Sequence, residues 1–177
     1  DHMMSTGVST ANVASVWAVV AYSSLPSSNP GILIGAPAAT GTNVGAGSKT
    51  IGMWVNSGGG TRIWGRGIQS NGTIRDISQV TTLNASTFYI INNIYRAATS
   101  INQFVNNSAA GNNTSHNGTL SSWTDITIGR QGNESWNGDI AEIIMYGRAL
   151  SKEEIQGVNA YLMDRYNIDL PEVPKNY

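Results

Sequence analysis

Two short segments of the chain combine aromatic and basic side chains in a pattern suited to ligand binding. Residues 50–55 and 61–66 are β-prone and flank a five-residue loop, which predicts a hairpin. Side chains alternate between the two faces of a strand, so an inward orientation of Ile51, Met53, Val55 and Ile63 leaves the intervening positions on the outer face. Those outer-face residues are Trp54, Arg62, Trp64 and Arg66.

These four side chains form a candidate binding face. Indole rings stack on the apolar C–H faces of sugar rings, and arginine binds hydroxyl groups or an acidic group. Two neighbouring exposed tryptophans are costly unless something covers them. The alternative stays open: with the opposite register, or under another strand or loop, the same residues would be packing residues.

Other chemistries lack the residues that they require. The chain has no Cys and two His, so thiolate catalysis and Cys-ligated zinc are excluded. His116 is the only His beyond the extreme N-terminus, and its polar surroundings favour a solvated loop residue over a ligand contact. The glycines at 58–60 have no following Lys-Ser/Thr, so they indicate a hairpin turn rather than a phosphate loop.

Composition excludes two classes of partner. Charged residues make up 12% of the 177 residues, and the net charge of -1 leaves no basic surface for nucleic acid. Apolar residues reach 40%, enough for a core, but no run approaches the roughly 18 residues of a membrane-spanning helix. We therefore expect a globular domain without nucleic-acid binding or membrane insertion.

Hydrophobic patterning predicts an all-β domain with one helix. Turn-rich polar loops between the strands favour antiparallel pairing. The expected strands are 13–22, 31–36, 50–55, 61–66, 73–80, 87–96, 100–105, 123–130 and 138–147, with a long polar loop at 106–122. A helix is predicted at 151–165, because Ser151 and Glu154 form a capping-box pattern ahead of an apolar stripe.

The last quarter of the chain resembles a known family. Its successive parts are an IGR strand at 128–130, an aromatic-x-G-x-I-A-E-I strand at 136–143, a Y-x-R-x-L-S-x-x-E segment at 146–154 and a helix that closes with Tyr161 to Tyr166. This run is similar to the C-terminal half of laminin-G-like domains of the concanavalin A-like lectin/glucanase superfamily. The resemblance covers roughly residues 13–168, and it implies a two-sheet antiparallel jelly-roll sandwich with one short C-terminal helix.

On this basis we divide the chain into three parts. Residues 1–4 are interpreted as a cloning scar, because the His-Met pair is what a common restriction site encodes. Residues 5–170 are expected to form a single β-sandwich, and residues 171–177 a C-terminal tail. The superfamily also implies a turn after the strand at 100–105, where Asn106-Asn107 can adopt the required backbone conformation.

Because the superfamily includes glucanases, hydrolysis has to be considered. Their catalytic strand carries two Glu and an Asp, and a retaining glycosidase needs two nearby carboxyl groups. The matching segment here has Asn137 in place of the first Glu, followed by Asp139 and Glu142. An amide cannot act as a nucleophile in this reaction, so we predict no catalytic residues and no enzyme activity. Glu142 is expected to anchor the start of the helix or a neighbouring loop.

The resemblance also raises the question of calcium, which many laminin-G-like and lectin domains bind through Asp, Asn and backbone oxygens. The candidate ligands are Asp125, Glu134 and Asp139, with Asn133 and Asn137 beside them. They show no EF-hand spacing, so the sequence assigns no ligands to a structural calcium, which stays open as an alternative to a metal-free domain; no other cofactor is expected.

These observations favour a non-catalytic carbohydrate-binding module of a larger secreted, cell-surface or phage-particle protein. Its expected partners are a glycan or polysaccharide and other copies of the parent protein, on an extracellular, cell or virion surface. The alternative is a structural or protein-interaction domain of a fibre or capsid assembly without a sugar site. A glycoside hydrolase is the third and weakest hypothesis.

Overall fold

A computed structural model describes the fold over most of the chain. The described residues are 3–5, 15–24, 31–36, 51–56, 62–69, 71–80, 83–96, 99–115, 118–120, 125–131 and 134–169. Thirteen strands and one helix are present in these ranges. They are β1 (Met3–Ser5), β2 (Ser15–Tyr22), β3 (Gly31–Ala36), β4 (Ile51–Asn56), β5 (Arg62–Ile68), β6 (Ile74–Val80), β7 (Tyr89–Arg96), β8 (Ser100–Val105), β9 (Ser108–Asn113), β10 (Asp125–Ile128), β11 (Arg130–Gln131), β12 (Glu134–Ser135), β13 (Gly138–Tyr146) and α1 (Lys152–Tyr166).

The strands form two main antiparallel sheets, as predicted. The six-stranded sheet has the order β1-β10-β3-β4-β5-β6, and the five-stranded sheet has the order β13-β2-β7-β8-β9. Strands β11 and β12 form a separate small hairpin. This is the all-β sandwich with one short C-terminal helix that the sequence predicted.

The hydrophobic core has two layers, which share strand β2. Its even-numbered side chains, such as Val16 and Val20, pack between the two sheets. Its odd-numbered side chains, Trp17 and Val19, pack against α1 on the outer face of the five-stranded sheet. Burial on both faces explains why this strand is a continuous apolar run rather than an alternating one.

Helix α1 begins and ends with the expected local signals. The Ser151 hydroxyl accepts from the Glu154 amide at 3.3 Å, and the Glu154 carboxylate accepts from the Ser151 amide at 2.9 Å. This is the predicted capping box. Asn167 ends the helix in the left-handed conformation, with φ of 50°. No helix in the described ranges has the length and apolar character needed to cross a membrane.

One segment differs from the sequence expectation. Residues 108–113 were predicted as loop but form β9, because Asn106 and Asn107 have φ values of 47° and 63° and turn the chain back onto β8. Met3 and Met4 pair with Ile128 and Thr127 of β10, and the division of the chain into three parts stays a prediction. The tail at 171–177 and the 57–60 turn lie outside the described residues.

Candidate functional site

The β4–β5 hairpin has the face assignment that the sequence predicted. Ile51, Met53, Val55 and Ile63 lie in the core between the two sheets. Trp54 is paired in register with Trp64 on the neighbouring strand. Alternation therefore places Trp54, Arg62, Trp64 and Arg66 together on the outer face of the six-stranded sheet, which we call the outer-sheet face.

The two tryptophans on this face stack on each other. Their ring centroids are 5.8 Å apart and their planes differ by 6°. The guanidinium carbon of Arg66 lies 5.3 Å from the centroid of the Trp54 ring, a cation–π distance. Trp54 is only 5% exposed, whereas Trp64 is half-buried. Of the two rings, Trp64 is the more exposed.

Arg66 is held by an acid that the sequence analysis did not include in the site. Asp76 lies directly opposite Arg66 on β6. Arg66 Nε donates to Asp76 Oδ1 at 2.6 Å, and Nη2 donates to Oδ2 at 2.6 Å, which is a bidentate ion pair. The Arg66 side chain is 12% exposed and that of Asp76 is 27% exposed. The charge of Arg66 is therefore compensated within the protein.

Two donors on the same face lack an acceptor within the described part of the chain. They are Arg62 Nε and Trp64 Nε1, both shielded from solvent. A buried donor without an acceptor costs about 1–3 kcal/mol. Arg62 also forms no ion pair with the described residues, so its charge is the uncompensated one on the outer-sheet face.

The backbone of β5 is fixed from behind by a buried polar cluster. Gln103 Nε2 donates to Asn93 Oδ1 at 3.0 Å, and the Tyr95 hydroxyl donates to the Arg66 carbonyl at 3.0 Å. Burial raises the pKa of Tyr95, so this hydroxyl keeps its proton. A Cβ at Gly65 would lie 2.8 Å from Asn93 Nδ2, so only glycine lets the two sheets approach here. This packing holds the strand that carries Arg62, Trp64 and Arg66.

The acidic residues near the helix are engaged in structure. Glu142 Oε2 accepts from the Tyr166 hydroxyl at 2.9 Å, Oε1 accepts from the Tyr161 hydroxyl at 3.1 Å, and Arg165 Nε lies 3.2 Å from Oε2. Glu142 thus anchors the last turns of α1, rather than its start or a loop as the sequence suggested. Asp139 is exposed at the other end of the motif.

The candidate calcium ligands are spread over several elements. Asp125 is buried on β10, Glu134 lies on β12, and Asp139 is exposed on β13. Asn137 Nδ2 donates to the Ser24 hydroxyl at 2.8 Å, and Asn133 lies outside the described residues. Among the residues that the structure describes, no three His, Cys, Asp or Glu side chains come together as a metal site. Calcium binding stays a prediction.

Two face-to-face antiparallel sheets with a helix on one of them define a lectin-like sandwich. The chain belongs to the laminin G family of the concanavalin A-like lectin/glucanases superfamily, whose family model matches residues 7–156. No curated protein matches the chain significantly by sequence.

Solved structures share this fold at low sequence identity. The native heptameric SAP-like pentraxin of Limulus polyphemus is 16% identical, with a TM-score of 0.63 over 89% of this chain and 75% of the pentraxin chain. The ligand-binding domain of botulinum neurotoxin serotype D, in complex with N-acetylneuraminic acid, is 11% identical, with a TM-score of 0.69 over 92% of this chain and 40% of that chain. The binding domain of botulinum neurotoxin serotype G is 14% identical, with a TM-score of 0.62 over 89% of this chain and 38% of that chain. The chain thus spans about two fifths of the toxin chains.

Proposed function

We propose that this domain is a non-catalytic carbohydrate-binding module that binds an acidic glycan on the outer-sheet face. The observation that carries the proposal is the placement of Arg62 and the half-buried Trp64 two residues apart on the outer-sheet face. A sugar ring stacked on Trp64 would bring hydroxyl and carboxylate oxygens toward the Arg62 guanidinium.

Charge favours an acidic sugar over a neutral one. Arg66 and Asp76 neutralise each other, so among the described residues of this face Arg62 is left as the positive charge without an ion-pair partner. A glycan carboxylate or sulfate beside Arg62 would complete a second ion pair. The serotype D toxin domain, two fifths of which shares this fold, has been solved in complex with N-acetylneuraminic acid, which is a carboxylate-bearing sugar.

The carboxylates support binding rather than hydrolysis. Glu142 accepts hydrogen bonds from two tyrosines and pairs with Arg165, which supports a structural role for this carboxylate. Asn137 occupies the position where the superfamily's enzymes carry a Glu. We therefore place this module among the binding members of the superfamily.

The proposed module works as part of a larger assembly at a secreted, cell or virion surface. A single face of this size gives weak binding, with Kd on the order of 10 µM to 1 mM. Several copies on one particle raise the overall affinity through effective concentration. The heptameric state of the similar pentraxin supports self-association of this kind.

One observation favours the alternative, a structural or protein-interaction domain of a fibre or capsid. Trp54 is 5% exposed and stacks on both Trp64 and Arg66, as a packing residue does. If this cluster serves packing alone, substitutions in it should lower the stability of the domain without any effect on glycan binding.

Two charge variants with opposite expected effects test the proposal. Arg62→Gln should weaken binding of sialylated glycans about tenfold, a loss of roughly 1.4 kcal/mol. Asp76→Asn frees the charge of Arg66 and should strengthen binding of the same glycans, but not of their desialylated forms. Lys152→Gln, which removes a positive charge from the helix on the other sheet, is the control.

Binding is measured on a glycan array and by titration calorimetry, with circular dichroism to check folding. If folded Arg62→Gln and Lys152→Gln bind sialylated glycans as the parent does, or if no glycan binds at all, the proposal fails and the assembly alternative is favoured.

A further inference from the structure

A groove of about 520 Å³ lies between the outer face of β13 and helix α1, on the other sheet from Trp64. Its lining includes the apolar side chains of Ile144, Leu150 and Val158 and the side chains of Tyr146 and Tyr161. The volume falls within the range of about 300–1,000 Å³ that is typical of small-molecule sites. An apolar lining with a few polar groups at its margin is the usual composition of such a site.

Gly157 leaves open space along this groove, although a glycine at this position lowers the stability of the helix. A glycine inside a helix destabilises it by about 1 kcal/mol relative to alanine. A Cβ at position 157 would meet nothing within 4 Å, so packing does not require a glycine. The backbone there is ordinary helix, so conformation does not require one either. The residue does line the groove, and the missing side chain leaves room for a ligand.

Tyr161 is an exposed aromatic ring held in a fixed position beside this space. Its side chain is 45% exposed, which is high for a large hydrophobic residue. Its hydroxyl donates to Glu142 Oε1 at 3.1 Å, and the guanidinium carbon of Arg165 lies 5.8 Å from the ring centroid. A ring fixed in advance loses little conformational entropy when a ligand stacks on it.

The charges along the groove compensate each other in pairs. Arg148 Nη1 lies 2.6 Å from Glu154 Oε2, and Arg165 Nε lies 3.2 Å from Glu142 Oε2. No net charge is left to attract an ion, whereas both carboxylates and the Arg148 guanidinium still have hydrogen-bonding capacity at their exposed edges. A neutral ligand rich in hydroxyl groups, which both donate and accept, matches this lining.

We infer that the groove between β13 and α1 is a second carbohydrate site, which takes a neutral pyranose unit. The sugar ring stacks on Tyr161 over the space beside Gly157, and its hydroxyl groups bond to the Glu142, Arg148 and Glu154 side chains. The site is independent of the outer-sheet face, because it rests on different residues on the other sheet and selects a neutral rather than an acidic sugar.

A substitution that fills the groove tests the site without weakening the fold. Gly157→Leu places a side chain in the groove and replaces glycine with a better helix former, so the helix should become more stable. Gln156→Leu is the matched control, because Gln156 is exposed on the same helix and does not line the groove. The probes are the methyl glycosides of glucose, galactose, mannose and N-acetylglucosamine, titrated into the 15N-labelled domain.

With the parent domain, at least one glycoside should shift the backbone amide signals of Gly157 and Tyr161, with a Kd of about 1–10 mM. Gly157→Leu should raise that Kd at least roughly tenfold, and Gln156→Leu should leave it unchanged. Absence of shifts with all four glycosides, or equal binding by Gly157→Leu, would overturn the inference.

Three further variants test the stacking ring and separate this site from the outer-sheet face. Tyr161→Phe keeps the stacking ring and should retain most of the binding, whereas Tyr161→Ala should lose it. Trp64→Ala should leave the Gly157 shifts unchanged. If a folded Trp64→Ala protein loses them, the two sites are not independent and the inference is wrong.

Discussion

The indole nitrogen of Trp17 donates a hydrogen bond to the side-chain oxygen of Asn159 across 2.8 Å. Both residues are buried, one on β2 of the five-stranded sheet and the other on α1. The amide nitrogen of Asn159 in turn donates to Asn107 in the β8–β9 turn. A single side chain therefore joins the helix to both strand β2 and a turn of the sheet on which it packs.

Asn159→Ala should lower the free energy of unfolding by about 1–3 kcal/mol, because it leaves the Trp17 indole donor buried without an acceptor. Urea unfolding followed by tryptophan fluorescence measures the change. The control is Gln156→Ala, an exposed position on the same helix where an effect within about 0.5 kcal/mol is expected. Equal stability of the two variants would show that the hydrogen bond contributes nothing.

Leu162→Ala tests whether the helix is an integral part of the fold. Leu162 is fully buried against the five-stranded sheet, so its truncation should cost about 2–5 kcal/mol. The thermal midpoint of the whole domain should fall in one transition, seen alike by far-ultraviolet circular dichroism and by fluorescence. A separate early transition of the helix signal alone would contradict an integral helix.

Ser151→Ala tests the N-cap. The hydroxyl of Ser151 satisfies the Glu154 amide, and its loss should cost about 0.5–2 kcal/mol. Ser151→Asp keeps an acceptor at the cap and should restore most of that stability in urea unfolding. Failure of the aspartate to restore any stability would mean that the cap is not the cause.

Acid should destabilise the start of the helix over a defined pH range. Hydrogen bonding from Arg148, and then from the Ser151 amide, lowers the pKa of Glu154 from 4.5 to about 2. A carboxyl group whose pKa is lower in the folded state stabilises the fold above its unfolded pKa, and that contribution is lost as the pH falls. Stability should therefore decline between pH 4.5 and about pH 2. Thermal unfolding across this range should show a smaller decline in Glu154→Gln, and an identical decline would exclude Glu154 as its source.

The architecture could be predicted from local patterns because those patterns reflect burial. The apolar run of β2 and the alternation in β4 and β5 follow directly from which faces meet the core. The capping residues of α1 contact groups only a few positions away in the chain, so a local sequence pattern was enough to predict them. Strand β9 was missed because its sequence, SAAGNN, has little β propensity and is held by pairing with β8.

The sequence predicted which side chains share the outer-sheet face but not how they interact. Asp76 pairs with Arg66 because β5 and β6 meet in one register, and register depends on the whole sheet. Alternation along 73–80 was the available signal, since it places Asp76 and Ile77 on opposite faces. The sequence suggested that Glu142 anchors the start of the helix, but its partners Tyr161, Tyr166 and Arg165 lie in the last turns, because the packing of the helix on β13 decides which turn it meets.

Absence of hydrolysis is the expected outcome for a panel of β-glucans assayed by reducing-sugar release. Glu142→Gln should instead lower stability, because it weakens the contacts with Tyr161, Tyr166 and Arg165. Reducing-sugar release that disappears in a folded Asp139→Asn variant would contradict this prediction and establish an enzyme.

The two stacked tryptophans should respond differently to truncation, because they differ in burial. Trp54 is 5% exposed and in contact with Trp64 and Arg66, so Trp54→Ala should cost about 3–5 kcal/mol of unfolding free energy. Trp64 is half-buried, so Trp64→Ala should cost less stability and leave a folded protein, while glycan binding to the outer-sheet face is lost. Trp64→Phe, which keeps a smaller aromatic ring for stacking, should bind more weakly than the parent and more strongly than Trp64→Ala. Titration of each folded variant with a sialylated glycan measures the order, and undiminished binding by Trp64→Ala would place the acidic-glycan site elsewhere on the domain.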